Sequence, residues 1–320
     1  MTRPRVVCLI GPTASGKTAL ALDLAAAFDA EVVSADSRQV YRDLDVGTAK
    51  PTAMERARAP HHCLDLVDAG DPFDVARFRD AATAALGDIH IRGRRALIVG
   101  GTGLYVRVLL RGLCPAPPRV PALRRVLGRM AAEEGAPALH RRLAVVDPAA
   151  AARIHPNDTV RAVRALEVAL STGRRLSDWQ AAHGFGEAPY DALVIGLAVP
   201  PVELDARIAE RTRAMIDAGF ADEVRGLVAR GLDPDAPAWS AVGYREMREH
   251  VLGHVDAEAT LAAVVRATRR FAKRQRTWFR AEPDVVWHHP EHERARIHDA
   301  VAAAFGGASR ADIANVGVPR

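Results

Sequence analysis

Short apolar runs alternate with longer amphipathic segments in the first third of the chain. Three runs of mostly aliphatic residues, at 6–10, 31–34 and 96–99, have the length and composition of buried strands. Between them, apolar residues recur every three or four positions over 18–28 and 75–91, the spacing of amphipathic helices. This alternation predicts an α/β fold with a doubly wound parallel sheet, in which ligands bind at the carboxyl ends of the strands.

The pattern changes after a proline-rich segment at residues 114–121. Clustered prolines lack amide donors and resist regular structure. Helical periodicity then predicts four helices, at 122–135, 137–146, 148–154 and 159–171. A strand at 192–199 and one long helix at 201–230 follow.

From this change of pattern we predict two domains. Residues 1–118 and 190–305 would form the sheet core, and residues 119–189 would form an all-helical insertion. Residues 306–320 are predicted to be a flexible tail.

Composition limits the class of protein. The 320 residues, 49% of them hydrophobic and 26% charged, are enough to bury a full core. No apolar run reaches the ~18 residues of a membrane-spanning helix, and the first residues lack the apolar core of a signal peptide. We therefore expect a cytoplasmic protein with no membrane partner. Cys8, Cys63 and Cys114 lack zinc spacing, so no structural metal is expected.

The segment between the first predicted strand and helix reads Gly-Pro-Thr-Ala-Ser-Gly-Lys-Thr. It matches the motif G-x-x-x-x-G-K-[ST] in the strand, turn and helix context that the motif requires. Its backbone N–H groups are expected to converge on phosphate oxygens at the positive end of the helix, where the lysine adds charge and the Thr18 hydroxyl can hold Mg²⁺. We predict a P-loop NTPase-like core whose diphosphate or triphosphate site consists of Gly11, Pro12, Thr13, Ala14, Ser15, Gly16, Lys17 and Thr18.

Asp36 follows the second predicted strand and should lie beside this loop. A carboxylate there could hold magnesium, act as a general base or cap a turn, and the sequence alone does not separate the first two roles. Ser37, Arg38 and Gln39 come directly after it.

The third predicted strand ends in Gly-Gly-Thr-Gly at residues 100–103. Nucleotide hydrolases often place a metal-binding acid at this point, so the glycines and Thr102 argue against ATP hydrolysis. The Thr102 hydroxyl could donate to a diphosphate oxygen or cap the next helix. Arg207 and Arg211, four residues apart on one helix, suit diphosphate recognition, although each taken alone could be a solvated surface residue.

Positive charge clusters near the end of the chain. Residues 266–280 contain seven Lys and Arg residues and no acid, and like charges one helical turn apart repel by a few tenths of a kcal/mol per pair. A solvated basic face is the ordinary explanation, but the density favours a polyanion such as nucleic acid. Arg161 and Arg164 form a second cationic group in the predicted insertion.

Six segments, in this order, resemble the tRNA dimethylallyltransferase family from about residue 5 to residue 304. They are Gly-Pro-Thr-Ala-Ser-Gly-Lys-Thr at 11–18, Ala-Asp-Ser-Arg-Gln-Val-Tyr at 35–41, Asp-Val-Gly-Thr-Ala-Lys-Pro at 45–51, Gly-Gly-Thr-Gly-Leu-Tyr at 100–105, Val-Gly-Tyr-Arg-Glu at 242–246 and Lys-Arg-Gln-Arg-Thr-Trp-Phe at 273–279. Members transfer a dimethylallyl group from its diphosphate to the exocyclic amine of the adenosine at position 37 of tRNA, with magnesium.

The resemblance implies roles for individual residues. Asp36 would be the general base, while Lys17, Thr102 and Arg211 with Arg207 would stabilise the departing diphosphate. Magnesium would be held by Thr18. Contacts with the tRNA anticodon stem-loop are implied for Asp36, Ser37, Arg38, Gln39, Arg124, Val160, Arg161, Arg164, Gly243, Tyr244, Arg245, Lys273, Arg274, Gln275 and Arg276.

The chain lacks the cysteines of the C-terminal zinc finger that some eukaryotic members carry, so a bacterial layout is expected. We also expect a monomer. Three other functions are compatible with parts of the sequence. An adenylate isopentenyltransferase would share the donor and the phosphate loop but has no use for the basic helix. A small-molecule kinase is favoured only by the phosphate loop, and a non-catalytic RNA-binding protein could use that loop to sense nucleotide.

Overall fold

The structure is a computed structural model that describes residues 3–308. The chain divides into two compact units, one made of the segments up to Leu110 and from Pro189 onward, the other of residues Arg111–Ala188. Of the predicted tail, residues 309–320 lie outside the described part of the chain, and Gly306 is the last residue of a helix.

The first unit contains a six-stranded sheet. Its strands are β1 (Arg5–Ile10), β2 (Ala30–Ser34), β3 (His61–His62), β4 (Arg95–Gly100), β5 (Asp191–Leu197) and β6 (Val285–His288). They lie in the order β3-β2-β4-β1-β5-β6, and every adjacent pair is parallel. The predicted parallel sheet is confirmed, and the four predicted strands correspond to β1, β2, β4 and β5. The short edge strands β3 and β6 were not predicted.

Fourteen α-helices lie within residues 3–308. They are α1 (Lys17–Phe28), α2 (Ala53–Arg58), α3 (Val75–Ile91), α4 (Gly103–Arg111), α5 (Pro121–Glu134), α6 (Ala136–Val146), α7 (Pro148–Ala151), α8 (Thr159–Thr172), α9 (Leu176–His183), α10 (Pro201–Asp217), α11 (Phe220–Ala229), α12 (Tyr244–Val251), α13 (Ala257–Arg280) and α14 (Arg294–Gly306). In the part of the chain that the structure describes, no helix is both long and apolar enough to cross a membrane.

The single long helix predicted over 201–230 is wrong, because the structure has two helices there. The first, α10, ends at Asp217, and α11 begins at Phe220. Gly219 between them has φ 96°, a left-handed conformation that glycine adopts without steric cost and that does not continue an α-helix.

Apolar side chains cover both faces of the sheet. On one face, α1 and α14 pack against β1, β4 and β5. On the other, α3, α4 and Phe279 of α13 pack against the same strands, with Phe78 stacked on Tyr105 at 4.0 Å between ring centroids. A parallel sheet buried on both sides explains why its strands are continuous apolar runs rather than alternating ones.

The second unit is helical and has its own core. Leu127, Leu139, Leu143 and Leu166 lie at the centre of that core. The Glu167 side chain is also fully buried, and it accepts a hydrogen bond from the Val120 backbone N–H at 2.7 Å.

The carboxyl ends of β2, β4 and β1 lie side by side because these strands are neighbours and parallel. The approach is closest at Gly100, where a Cβ atom would lie 2.2 Å from the Ala35 carbonyl oxygen. Only a residue without a side chain fits there, so the glycine allows the loops after β2 and β4 to meet.

Candidate active site

The predicted phosphate loop follows β1 and turns directly into α1. Ala14 and Gly16 have φ of 62° and 84°, and Gly16 is the residue that precedes the helix. No side chain caps the N-terminus of α1. The first N–H groups of this helix therefore remain available to an anion at its positive end.

The Ser15 hydroxyl points to a polar ligand in this loop. Ser15 is fully buried, and its Oγ has no hydrogen-bond partner among the described residues. A buried hydroxyl without a partner costs free energy, so native proteins usually provide one. A phosphate oxygen in the loop could serve as that partner.

Lys17 folds back over the loop. Its Nζ donates to the carbonyl oxygens of Gly11 at 3.0 Å and Pro12 at 2.6 Å. Burial and the nearby Arg211 guanidinium lower the pKa of Lys17 to about 7, against the opposing effect of Asp36. Lys17, Arg211 and Asp36 thus interact electrostatically at the loop.

The two predicted arginines of α10 differ in their partners. Arg211 is partly buried, burial lowers its pKa, and it makes no hydrogen bond or salt bridge to the part of the chain described. Arg207 also approaches the loop, since its Nη1 would lie 3.9 Å from a Cβ on Gly16. However, Arg207 forms salt bridges with both Glu203 and Glu291, which neutralise its charge.

Asp36 lies two residues after β2. Its Oδ1 accepts hydrogen bonds from the backbone N–H groups of Arg38 at 2.8 Å and Gln39 at 3.4 Å. This is the turn-capping geometry that the sequence left open as one role of Asp36. Oδ2 makes no hydrogen bond to residues 3–308, so the same carboxylate can cap the turn with one oxygen and accept a proton with the other.

Thr102 joins the loops after β4 and β2. Its Oγ1 accepts from the Ser37 backbone N–H at 3.0 Å and donates to the Ser37 Oγ at 3.3 Å, and its N–H donates to the Ala35 carbonyl at 3.2 Å. The hydroxyl is therefore bound to Ser37 rather than capping α4, which places it one residue from Asp36.

The side chains of Arg38 and Gln39, which follow Asp36, form hydrogen bonds within the protein. The Gln39 amide donates to the Ala49 carbonyl at 3.2 Å and accepts from the Ser34 hydroxyl at 3.0 Å. The Arg38 guanidinium reaches the Pro237 carbonyl at 3.4 Å. These contacts hold the segment after Asp36 in one conformation beside the phosphate loop.

Thr18 is the residue that could hold a metal ion. Its hydroxyl, in the first turn of α1, makes no hydrogen bond to any described residue. Within residues 3–308 no three His, Cys, Asp or Glu side chains are grouped for metal binding. One free hydroxyl beside a diphosphate fits Mg²⁺, an ion that keeps several waters and is held by one or two protein ligands plus phosphate oxygens.

Cationic side chains line a cleft between α12 and α13. Arg245, Arg270 and Arg274 line it together with one acid, Glu246, and residues 240–243, and its volume is about 220 Å³. Lys273 and Arg274 are exposed, and Arg276 is partly buried. The cleft gathers positive charge that is consistent with binding an anion.

Two predicted tRNA contacts, Tyr244 and Gln275, have buried side chains instead. Tyr244 has no exposed surface, and its hydroxyl donates to Glu223 at 2.6 Å. Gln275 is 6% exposed and is hydrogen-bonded to two loops. Gly243 is also buried, with φ 90°, at the start of α12. The structure does not offer the side chains of Tyr244 and Gln275 to a tRNA.

Glu223 is a residue that sequence reasoning missed. Its carboxylate accepts hydrogen bonds from the backbone N–H groups of Asp45, Val46 and Gly47 at 2.6–3.1 Å. These bonds tie the third of the six segments to α11. No local signal could have found Glu223, because its partners are about 177 residues away in the sequence.

In the helical unit, the predicted contacts fall into two groups. Arg124 and Arg164 both pair with the buried Glu167, at 3.1 and 2.8 Å. By contrast, Val160 is 72% exposed, and the Arg161 side chain is largely exposed beside Asp158. Glu167 therefore fixes two guanidinium groups near one another.

Comparison with known proteins gives consistent matches. The family model described as IPP transferase matches residues 39–282, and that described as isopentenyl transferase matches residues 4–61. A protein of Anaeromyxobacter dehalogenans named tRNA dimethylallyltransferase is 54% identical over 289 residues, which cover 90% of this chain and 96% of the relative.

Solved structures agree. The full-length tRNA isopentenylpyrophosphate transferase of Bacillus halodurans has a TM-score of 0.70 and 37% identity, covering 95% of this chain and 97% of its own. A eukaryotic dimethylallyltransferase described as acting on tRNA has a TM-score of 0.79 and 26% identity, covering 99% of this chain and 81% of its own. The resemblance carried by the six segments is confirmed, and the chain belongs to the IPP transferase family.

Proposed function

We propose that this protein transfers a dimethylallyl group from dimethylallyl diphosphate to the exocyclic N6 amine of the adenosine at position 37 of tRNA, next to the anticodon. The observation that carries the proposal is the cluster of Lys17, Arg211 and Asp36 at the phosphate loop of a chain in this family. Two cations and a carboxylate are the groups that a departing diphosphate and a proton-releasing amine require.

The phosphate loop would bind the diphosphate of the prenyl donor. The free N–H groups at the start of α1, the Ser15 hydroxyl and the Lys17 ammonium all suit its oxygens. Arg211 is the stronger candidate of the two arginines, because Arg207 already has two carboxylate partners. We therefore assign Arg211 to the diphosphate and Arg207 to a supporting position beside Gly16.

Magnesium fits this donor site at Thr18, and when bound it would neutralise charge on the diphosphate oxygens. The chain's own cations would act on the same charge. As the allylic C–O bond breaks, Lys17 and Arg211 would stabilise the negative charge that grows on the leaving diphosphate.

Asp36 would act as the general base. An adenine amine is a weak nucleophile because its lone pair is delocalised into the ring. When N6 forms a bond to the allylic carbon, the nitrogen must lose one proton, and Oδ2 of Asp36 could accept it. The products are the N6-dimethylallyl adenosine and diphosphate. Thr102, bound to Ser37, would position the loop that carries Asp36.

The adenosine must leave the anticodon stack to reach this site, at a cost of a few kcal/mol. Arg38 and Gln39, which follow the general base Asp36 in the sequence, would contact the extruded nucleotide or its neighbours.

In the core unit, Arg245, Lys273 and Arg274 would bind tRNA phosphates. We propose that the helical unit also contacts the tRNA, through Arg124, Val160, Arg161 and Arg164. We further propose that the protein acts as a monomer in the cytoplasm.

The direct test mixes the protein and magnesium with labelled dimethylallyl diphosphate and either tRNA or AMP. We expect label to enter tRNA and not AMP, since the cationic surface suits a polyanion. Transfer to AMP alone would identify an adenylate isopentenyltransferase, and phosphorylation from ATP would identify a kinase. No transfer of any kind would leave an RNA-binding protein.

Replacing Asp36 with Asn separates its proposed role as a general base from its role in capping the turn. Asn keeps an oxygen that can accept the Arg38 and Gln39 N–H groups but cannot act as a base. We expect Asp36→Asn to lower kcat by about 10²-fold or more while tRNA affinity and thermal stability stay close to wild type. Single-turnover kinetics and a filter-binding titration would measure these quantities, and normal turnover would remove Asp36 from the mechanism.

The pKa of Lys17 predicts a proton uptake on donor binding. With that pKa lowered to about 7 by burial and Arg211, the free protein loses the ammonium proton as pH rises through 7. A bound diphosphate favours the charged form, so affinity for inorganic pyrophosphate should fall above neutral pH and binding at about pH 8 should take up a proton.

Titration calorimetry in buffers of different ionisation enthalpy measures this uptake. Lys17→Arg is the control, because a guanidinium stays protonated and only the proton exchange of pyrophosphate itself, which releases protons when cations bind it, remains. Equal proton uptake by both proteins would contradict the assignment.

Replacing Lys273 and Arg274 with Ala should weaken tRNA binding and reduce the slope of log K against log salt by about one to two. Donor affinity should not change. The control replaces Arg225 and Arg230 with Ala, which removes the same amount of positive charge from α11 and its C-terminus. These two arginines are paired with Asp222 and Asp43. If both double variants give the wild-type slope, α13 does not contact the nucleic acid.

A further inference from the structure

Helix α13 has two sides with different chemistry. Lys273 and Arg274 are exposed on its outer side. Its inner side is buried and is mostly apolar, with Val264, Ala272 and Phe279. Gln275 lies on the inner side and is 6% exposed, although residues 273–276 read as a cationic segment.

The Gln275 amide connects the two loops of the proposed donor site. Its Oε1 accepts from the Thr13 backbone N–H at 2.8 Å, and its Nε2 donates to the Gly101 carbonyl at 2.9 Å. Both partners are backbone groups, one in the phosphate loop and the other in the Gly-Gly-Thr-Gly turn. The side chain therefore links these two loops directly.

The bridge requires a particular chemistry of the side chain at position 275. Thr13 supplies a donor and Gly101 an acceptor, so the bridging side chain needs an acceptor and a donor on one planar group. A glutamate could accept from Thr13 but could not donate to Gly101. Residue 101 must also be small, because a Cβ there would lie 2.2 Å from the Gln275 Nε2.

The bridge has a consequence for the diphosphate. The Thr13 N–H is committed to Gln275 and the Ser15 N–H to the Pro12 carbonyl, which leaves the uncapped N–H groups at the start of α1 for phosphate oxygens. Gly101 immediately precedes Thr102, whose hydroxyl binds the Ser37 backbone next to Asp36. A shift of the Gly101 carbonyl would therefore displace the loop that carries the proposed base.

We propose that Gln275 is a positioning residue that holds the phosphate loop and the Gly-Gly-Thr-Gly turn at the separation needed for transfer. This inference rests on the proposed function for its kinetic part. Gln275 touches neither substrate and acts through Thr13 and Gly101. It lies within a segment whose neighbours are proposed to bind tRNA, but its own effect falls on the prenyl donor.

The test compares Gln275→Leu, which loses both hydrogen bonds, with Gln275→Glu, which keeps only the one from Thr13. In Gln275→Leu we expect about a 10-fold rise in the KM for dimethylallyl diphosphate and a fall of about the same size in kcat, because misplaced reacting groups lose rate. The Kd for tRNA should stay within about twofold of wild type. The Lys273 and Arg274 double variant should show the opposite division, with tRNA affinity reduced and donor KM unchanged.

Two measurements separate positioning from general stability. Hydrogen exchange in the peptide that contains Thr13 should become faster in Gln275→Leu but not in Gln275→Glu, while the sheet strands stay protected. Binding of inorganic pyrophosphate, measured by calorimetry, should be weaker in Gln275→Leu. Because this binding requires no transfer reaction, it tests Gln275 even if the wild-type protein fails to modify tRNA.

Wild-type pyrophosphate affinity and wild-type exchange at residues 11–15 in folded Gln275→Leu would overturn the proposal. So would a loss of tRNA affinity that equals the loss of donor affinity. If Gln275→Leu does not fold, Gln275→Glu decides the question, since unchanged KM and kcat for the donor in that variant would show that the Gly101 bond is not needed.

Discussion

The ends of β2 and β4 approach so closely that a Cβ atom at Gly100 would lie 2.2 Å from the Ala35 carbonyl oxygen. The other features of the site depend on this approach. It lets Thr102 bind Ser37, and this bond fixes the position of Asp36 relative to the phosphate loop. A parallel sheet gathers strand ends at one edge, but only a glycine at this point lets two of the loops make direct hydrogen bonds.

Charged side chains also lie close together at this edge of the sheet. Lys17 and Arg211 repel one another, and burial adds to the cost of keeping both protonated. Both effects disfavour the charged forms of the two groups, and Asp36 offsets only part of them. Arg207 shows the contrast, because it forms salt bridges with both Glu203 and Glu291. An anion that binds between Lys17 and Arg211 interacts favourably with two positive charges that carboxylates of the protein only partly balance.

The sequence predicted the parts that depend on local pattern. The phosphate loop, four of the strands and the break at the proline-rich segment all have signals within about ten residues. The rest depends on partners far away in the chain. The burial of Tyr244 requires Glu223, and that of Gln275 requires backbone groups 174 and 262 residues away. Helical spacing placed Gln275 on a separate side of α13 from the cations, but spacing alone does not reveal what that side meets.

On helix α13, adjacent residues of one sequence motif have different surroundings and different roles. The segment Lys-Arg-Gln-Arg reads as one basic block, yet consecutive residues on a helix point about 100° apart and face different surroundings. Lys273 and Arg274 face solvent, whereas Gln275 enters the core and meets both loops of the donor site. A glutamine is the uncharged member of the block at the one position where a cation would be buried against a cradle that already holds Lys17 and Arg211. An added positive charge there would increase the repulsion between buried cations, so the neutral amide is the side chain that can bridge the loops without raising the electrostatic cost of the site.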